Sequence, residues 1–335
     1  MLRDMPKSSL YQDLQRVSAA LGRDPLLVQG SGGNTSVKAL GRLLAKSSGR
    51  WLRDAQDTDI FMTLDLFEAR RLAMAGADYL GSAVTGAGAH RVPPGTAIHA
   101  LMPDRCVIEV RPVSIIARTL IGAPCGDLAV LPYLHPGQAM VSAVTALLAQ
   151  GRHKAIVVAN HALLVGGRHP DHAAQRLKWL CKTLYLPLQA PPSPHGAPPS
   201  VAGYTALHHP LAAAAACDET AVAALSSGPL VPDQFDHLAG GAAFAPTLYS
   251  VPRVIAAFGE AAGALPGLIV LKGHGLYLRD GLGAGAYALA DFLVELSLRI
   301  PKGRQVCPLS PKHTAGLTSG PREPVDPSVN LARIA

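Results

Sequence analysis

The most informative segment of the chain is rich in glycine and serine and lies near the N-terminus: Gln29-Gly30-Ser31-Gly32-Gly33-Asn34-Thr35-Ser36. A second segment of the same character follows closely, Lys46-Ser47-Ser48-Gly49-Arg50-Trp51-Leu52. Two such turns, each with hydroxyl groups, can curl backbone N–H groups around a phosphate or a carboxylate. We therefore expect function at these turns. The alternative is that the glycines serve only to make tight turns.

Composition narrows the class of protein. The 335 residues are 49% hydrophobic, enough for one large core or two moderate ones. The five cysteines are odd in number and contain no Cys-x-x-Cys pair, so neither a disulfide framework nor a cysteine zinc site is indicated. No run approaches the roughly 18 apolar residues of a membrane span. We expect a cytoplasmic protein with no membrane partner.

The net charge of +7 favours an anionic small molecule over a nucleic acid as the partner. The basic residues are scattered, and aromatic residues make up only 5% of the chain. A nucleic-acid-binding protein usually carries a basic face or a set of stacking aromatic side chains. The sequence therefore predicts no nucleic-acid partner.

Strand and helix patterns alternate along the first half of the chain, which favours an α/β layered fold. Helices are predicted at residues 9–22, 66–75, 99–102, 138–150 and 171–184, and strands at 43–45, 60–64, 106–111 and 156–165. The last strand segment contains a turn at Asn160 and His161. Because side chains alternate along a strand, Glu109 and Arg111 should point to the same side.

A proline-rich stretch divides the chain. We expect a first domain at residues 1–186, a linker at 187–200, a smaller C-terminal α/β extension at 201–307, and a loosely ordered tail at 308–335. Residues 268–278 repeat the pattern of residues 155–165, with His274 in the position of His161, which suggests a weak internal repeat. The simplest role for His274 is structural.

Five segments, taken together and in order, resemble the class II aldolase/adducin family. They are Gln29 to Lys38, Ala45 to Ala55, Thr96-Ala-Ile-His-Ala-Leu-Met-Pro103, Pro132-Tyr-Leu-His-Pro-Gly137, and Asn160-His-Ala-Leu-Leu-Val-Gly-Gly167. The resemblance implies a three-layer α/β/α fold around a central, mainly antiparallel sheet. It also implies a homo-oligomer, a dimer or tetramer. Residues that match the family's phosphate or carboxylate pocket are Gly33, Asn34, Thr35, Lys46, Ser47, Ser48 and Gly49.

The resemblance implies zinc-dependent carbon–carbon lyase chemistry, and here the sequence departs from the family. The family's metal is held by a His-x-His pair and a third histidine, and Glu109 and Arg111 stand at the pair. Only the third histidine is present, as His161. Gly95 stands at the family's acid/base glutamate. Three protein ligands are normal for catalytic zinc, so no metal is assigned, although His90, His99 or His135 could rebuild a site.

Two hypotheses follow for Glu109, Arg111 and His161. In the first, the protein is a non-classical or catalytically silent member of the family that binds a partner or a small anionic carbonyl compound, phosphorylated or carboxylated. Glu109 and Arg111 then form a salt bridge that fills the vacated site. In the second, it is an active lyase or decarboxylase. That enzyme either has a rebuilt metal site or is metal-free, with the Arg111 guanidinium stabilising an oxyanion while Glu109 and His161 move protons.

Overall fold

The computed structural model describes residues 8–77, 80–85, 91–135, 137–190, 196–310, 312–313 and 317. The chain forms two compact units. The first contains Met1–Pro112 and Cys125–Leu184, and the second contains Val113–Pro124 and Tyr185–Ala335. None of the helices in the described ranges combines the length and the apolar character needed to cross a membrane.

An eight-stranded sheet forms the centre of the first unit, in the order β4-β3-β2-β1-β5-β8-β7-β6. All neighbouring strands are antiparallel except the β6/β7 pair. The strands are β1 (Asn34–Ala39), β2 (Arg42–Lys46), β3 (Phe61–Asp65), β4 (Val84–Thr85), β5 (Cys106–Val110), β6 (Ala129–Leu131), β7 (Ala155–Val158) and β8 (Ala162–Gly167).

Helices cover both faces of this sheet. They are α1 (Ser9–Gly22), α2 (Leu66–Met74), α3 (Thr96–Leu101), α5 (Gln138–Ala149) and α6 (Pro170–Thr183). Helices α1 and α6 pack together, and so do α2, α3 and α5. On β1, Thr35 bonds to Ser18 of α1 while the next residue, Ser36, bonds to His99 of α3. Successive strand residues face opposite sides, so the two helix groups lie on opposite faces and the expected three-layer arrangement is confirmed.

The second unit contains a four-stranded sheet in the order β10-β11-β12-β9. Its strands are β9 (Tyr204–Ala206), β10 (Ala243–Ala245), β11 (Leu268–Leu271) and β12 (Gly275–Arg279). Its helices are α4 (Val113–Leu120), α7 (Ala212–Cys217), α8 (Glu219–Ser226), α9 (Asp233–Leu238), α10 (Val251–Ala262) and α11 (Ala284–Ser297). The expected smaller C-terminal sheet is therefore present.

The expected helices of the first unit form where the sequence indicated them. Helix α1 begins after Ser8, whose side chain accepts a hydrogen bond from Tyr11 N, and it buries Leu14, Val17 and Leu21 on one side. Several features were not anticipated. Strand β1 begins at Asn34, inside the segment expected to be a turn. The sequence also did not indicate β4, β6 or helix α4, which belongs to the second unit.

Part of the predicted linker and most of the predicted tail lie outside the described residues. At the start of that tail, Leu309 is buried, and its backbone N–H donates to Pro229 O at 2.8 Å. This residue is thus part of the second unit's packing.

Lys38 on β1 has a buried side chain that reaches the segment following α3. Its ammonium donates to Met102 O at 2.7 Å and to Asp104 O at 2.8 Å. Burial, with the nearby charge of Arg70, lowers its pKa to about 7, although Asp104 acts in the opposite direction. Burial in a protein interior disfavours the charged form of an amine.

This shift predicts a pH-dependent stability. Between pH 7 and pH 9 the unfolded chain holds the Lys38 proton and the folded chain releases it, so the free energy of unfolding should rise with pH. The slope for one group approaches about 1.4 kcal/mol per pH unit. Urea unfolding of the wild type and of Lys38→Met across this range measures it. Parallel pH profiles for the two proteins would contradict the shift.

Candidate functional site

Glu109 lies at the centre of the candidate site because β5 is a central strand. It stands opposite Asn34 on β1 and opposite Leu164 on β8. Directly opposed residues of antiparallel strands place their side chains on the same face. The sheet register therefore brings Glu109 and Asn34 together on the face covered by α3.

His99 anchors the Glu109 carboxylate from α3. The fully buried imidazole has its Nδ1 at 2.8 Å from Ser36 Oγ and its Nε2 at 3.1 Å from Glu109 Oε2. Both ring nitrogens thus have partners, as buried polar groups normally do. Ser36, His99 and Glu109 form a continuous polar chain under the sheet.

His161 approaches the same carboxylate from the opposite end of the cluster. It lies in the turn between β7 and β8, directly after Asn160, whose φ of 60° is left-handed. Its Nε2 is 3.7 Å from Glu109 Oε1, and its ring packs edge-on against Tyr133 with 5.8 Å between the ring centroids. Two imidazoles therefore flank Glu109.

The Glu109 carboxyl is strongly biased towards its charged form. Burial by itself raises its pKa, but the hydrogen bond from His99 and the charges of His99, His161 and Arg111 outweigh burial and lower the pKa to about 2. A hydrogen bond to the carboxylate and opposite charges nearby both favour ionisation. Glu109 is thus a carboxylate at neutral pH.

Gly95 leaves the space that the Glu109 carboxylate occupies. A Cβ atom added at Gly95 would lie 2.9 Å from Glu109 Oε2. Gly95 has ordinary helical dihedrals, φ −65° and ψ −13°, so the contact and not the backbone excludes a side chain there. The carboxylate from β5 therefore lies beside the position where a side chain of residue 95 would start.

Arg111 lies one residue beyond the end of β5 and contacts the first glycine-rich turn. Its backbone N–H donates to Leu27 O at 2.7 Å, and a Cβ atom at Gly32 would lie only 2.3 Å from Arg111 Nη1. The side chain is 93% buried, since its residue exposes only 7% of its surface. The guanidinium is thus packed directly on the Gly32 backbone.

Lys46 joins the two glycine-rich turns. Its Nζ donates to Ser31 O at 2.6 Å and to Arg50 O at 2.8 Å. The backbone N–H groups of Ser47 and Ser48 donate to Ile60 O and Arg91 O. These predicted ligand-binding residues therefore also hold the turns together.

The two predicted glycines at the turn ends have left-handed backbones. Gly33 has a φ of 69° and Gly49 a φ of 76°. Only glycine adopts this region without strain. Both glycines are thus explained by turn geometry, and their predicted role towards a ligand stays a prediction.

Asn34 and Thr35, both predicted to bind ligand, face opposite sides of the sheet. Thr35 Oγ1 is 2.7 Å from Ser18 Oγ, on the α1 side. Asn34 Oδ1 accepts from Lys46 N at 3.3 Å on the Glu109 side. Asn34 is 3% exposed, and its Nδ2 has no hydrogen-bond partner within the described part of the chain. Asn34, unlike Thr35, thus offers a buried donor beside Glu109.

A second polar group without a partner lies next to Gly95. Thr96 is fully buried, and its Oγ1 has no hydrogen-bond partner among the residues the structure describes. A buried hydroxyl left in this state costs about 1–3 kcal/mol. Helix α3 therefore begins with a buried hydroxyl whose hydrogen-bonding capacity is unused within the described residues.

A small cavity adjoins Glu109 and His161 under helices α3 and α5. Its volume is about 30 Å³, and its walls include Gly95, Ile98 and Met140. A cavity of this size holds about one water molecule. The space between Glu109 and His161 in this cavity is therefore nearly closed.

The donors around Glu109 can be compared with those of a metal centre. Within the described ranges, no group of three or more His, Cys, Asp or Glu side chains is arranged to hold a metal ion. His99 uses both ring nitrogens on Ser36 and Glu109. His135 is exposed, and His90 lies outside the described residues.

The sequence indicates His99 only as a possible metal ligand, and neither its bond to Glu109 nor a role for Ser36 is predicted from it. The signal in the sequence was weak, because the pairing depends on how α3 is rotated over the sheet. Residues 99 and 109 are brought together by tertiary packing, not by any spacing rule.

Comparison with known proteins agrees with this architecture. Residues 12–186 match the family model described as Class II Aldolase and Adducin N-terminal domain. Because this match covers just over half of the chain, the chain belongs to the class II aldolase/adducin family. A search of curated proteins gives no match.

Several solved structures are similar to the chain over about half its length. One is the N-terminal class II aldolase domain of a conserved protein from Thermoplasma acidophilum, 25% identical, covering 53% of this chain and 92% of that one, with a TM-score of 0.47. Another is L-fuculose-1-phosphate aldolase from Thermus thermophilus, 17% identical, covering 52% and 88%, with a TM-score of 0.38. A third is a sugar-phosphate aldolase from Thermotoga maritima, 16% identical, covering 52% and 91%, with a TM-score of 0.38.

The lowered pKa of Glu109 predicts acid sensitivity. The group has a folded pKa of about 2 against an ordinary value of 4.5, so its contribution is present above pH 4.5 and is lost as the pH falls towards 2. The loss should be on the order of 3 kcal/mol. Urea unfolding at pH 6, 4.5 and 3 measures it, with Glu109→Gln as the comparison. An equal pH dependence in both proteins would show that Glu109 is not held this way.

The contact between Gly95 and Glu109 predicts a coupling between the two positions. Gly95→Ala should lower the free energy of unfolding by about 1–3 kcal/mol, because the new methyl group crowds the carboxylate. The same change in a Glu109→Ala background should cost clearly less. Thermal or urea unfolding of the four proteins measures the coupling.

Gly259 offers a matched control, because it lies inside α10 and an added Cβ there meets nothing within 4 Å. Gly259→Ala should stabilise the protein by about 0.5–1 kcal/mol. If Gly95→Ala behaved like Gly259→Ala, the close contact with Glu109 would be refuted.

Proposed function

We propose that this protein is a non-classical class II aldolase-fold member that binds a small anionic carbonyl compound, phosphorylated or carboxylated, without the family's metal. The compound lies beside the first glycine-rich turn in contact with Arg111 and Asn34, and it does not enter the nearly closed space between Glu109 and His161. The protein does not turn the compound over. The observation that carries the proposal is the Asn34 amide, a buried donor without a partner in the described part of the chain, next to Glu109.

The charges and donors beside the first turn support an anionic ligand. Arg111 supplies a permanent positive charge in a largely buried place, and a guanidinium matches the geometry of carboxylate and phosphate groups. Asn34 Nδ2 adds a hydrogen-bond donor beside Glu109. The Glu109 carboxylate accepts a hydrogen bond from His99 and lies 3.7 Å from His161 Nε2.

The residues present do not fit the zinc centre that the family resemblance implies. Glu109 and His161 are two donors, and the place of a third ligand is taken by Arg111, which stays protonated and repels a cation. His99 is committed to Ser36 and Glu109. No step of the proposed function therefore runs through a metal.

The electrostatics of Glu109 argue for binding over catalysis. A general base works best with a pKa near the operating pH, and that of Glu109 is about 2. Its carboxylate is also occupied by His99, and the adjoining cavity holds little more than a water molecule. These features favour a closed, paired cluster.

One observation favours the second candidate, a metal-free lyase. The Glu109 carboxylate lies beside Gly95, the position of the family's acid/base glutamate. A carboxylate therefore lies in that region, although residue 109 and not residue 95 supplies it. In this version Glu109 accepts a proton from the substrate, His161 donates its own proton to the product, and Arg111 stabilises the developing oxyanion.

The assembly and location of the protein follow from the same proposal. A member of this family is expected to form a dimer or tetramer of identical subunits. We propose the same for this chain, together with a cytoplasmic location and no nucleic-acid partner. Size-exclusion chromatography with light scattering measures the subunit number directly.

The proposal is tested by calorimetric titration of dihydroxyacetone phosphate and, separately, of pyruvate. Arg111→Ala and Asn34→Asp should each weaken binding at least tenfold, the second because it replaces the amide donor with a repelling carboxylate of the same shape. Arg253→Ala is the matched control, since Arg253 is an exposed arginine on α10. It should leave the dissociation constant within about twofold.

The two candidate functions predict different effects of the substitution Glu109→Gln. For a silent binding protein, Glu109→Gln should keep affinity within a few-fold, and the wild type should show no aldol cleavage or decarboxylation in a product assay. Turnover that Glu109→Gln abolishes would establish the lyase instead. Binding of neither probe, or equal binding in Arg111→Ala, would refute the anion site.

A further inference from the structure

The second unit repeats the hairpin that carries His161. Strands β7 and β8 are joined by three residues that end in His161, and strands β11 and β12 by three residues that end in His274. The middle residue of each turn is left-handed, Asn160 with φ 60° and Gly273 with φ 78°. Both histidines donate their backbone N–H to the last residue of the preceding strand.

The repeat extends on both sides of the hairpin. A parallel strand precedes each one, with Leu131 opposite Val158 and Ala245 opposite Leu271. A helix of 12 residues connects each parallel pair, and a helix of 14 residues follows each hairpin. The weak repeat suggested by the sequence is thus a βαββα repeat in the structure.

The repeat also assigns a counterpart to the strand that carries Glu109. Leu164 on β8 faces Glu109, and its equivalent on β12, Tyr277, faces Ala206 on β9. Two residues further along, Arg111 corresponds to His208. The cluster of Glu109, Arg111 and His161 therefore has a counterpart formed by Ala206, His208 and His274.

This counterpart lines a cavity of about 370 Å³ within the second unit. The described residues of its walls include three histidines, His208, His209 and His274, and are otherwise apolar or small, among them Ala206. A volume of this size suits a small metabolite. The loss of a carboxylate at Ala206 leaves more room than Glu109 leaves in the first unit.

The histidines differ in how many of their ring nitrogens have a partner. His209 Nδ1 accepts from Leu211 N at 3.2 Å, and its Nε2 is 3.6 Å from Glu295 Oε1, which also pairs with Arg299. His274 Nδ1 is buried and has no hydrogen-bond partner among the described residues. His274 Nδ1 is therefore not satisfied by the described backbone, and the structural role expected for His274 stays a prediction.

The chemistry of the cavity fits an oxyanion better than a cation. Among the described residues, no aspartate or glutamate belongs to its walls, and Glu295, which contacts His209, is paired with Arg299. Imidazole N–H groups donate to carboxylate and phosphate oxygens. The described residues also contain no group of three ligands arranged for a metal ion.

We propose that the second unit carries its own ligand site, in which His208 and His274 bind the oxyanion of a small carboxylate or phosphate compound. The site is the structural counterpart of the Glu109 cluster. It is independent of the proposed function of the first unit, since it lies wholly among residues 198–276.

The test uses the full chain with Arg111→Ala, so that binding at the first cluster is removed. Histidine ring nitrogens are labelled with ¹⁵N, and inorganic phosphate and pyruvate are titrated in separate experiments. Signals that H208N or H274Q removes should shift on titration, and each variant should raise the dissociation constant at least tenfold. The probe that binds more tightly identifies a phosphate or a carboxylate as the preferred group.

The matched control is His169→Asn. His169 is an exposed histidine that caps α6 by accepting from His172 N, and asparagine preserves this cap. The control should bind as the parent does. H208N changes an exposed residue, so it keeps the test valid if H274Q fails to fold. The absence of any shift with both probes, or unchanged affinity in H208N and H274Q, overturns the proposal.

Discussion

The pairing of β5 between β1 and β8 is the constraint on which the candidate site depends. This register sets Glu109 opposite Asn34 and Leu164. A slip of one residue would turn Glu109 to the α1 side and place Ile108, which is fully buried, among the polar groups under α3. The apolar and polar faces of β5 therefore fix the site as firmly as any hydrogen bond does.

The buried charge of Glu109 is tolerated because its neighbours accommodate the carboxylate. His99 donates to it, His161 flanks it, and Gly95 leaves room for it. Buried ionised groups persist only when they are paired and hydrogen-bonded. Gly95, His99 and Glu109 thus form one physically coherent set.

The two units use one structural motif with different chemistry. In the first, a carboxylate and two imidazoles close the space between strand and turn. In the second, Ala206 removes the carboxylate, and a cavity lined by histidines lies in the corresponding place. A repeated backbone can therefore retain a site's location while the side chains decide whether the site is filled by the protein itself or open to a ligand.

The sequence by itself determined the family, the α/β layering and most helices and strands, because these depend on local periodicity, turn residues and ordered motifs. It also singled out Glu109, Arg111 and His161 from their positions in those motifs. The tertiary structure decided which residues contact them: His99 donates a hydrogen bond to Glu109, and Arg111 packs on Gly32. It also decided that Thr35 contacts α1 while Asn34 faces the candidate site. These depend on strand register and on the rotation of α3 over the sheet, which bring together residues far apart in the chain and leave no periodic signal in the sequence.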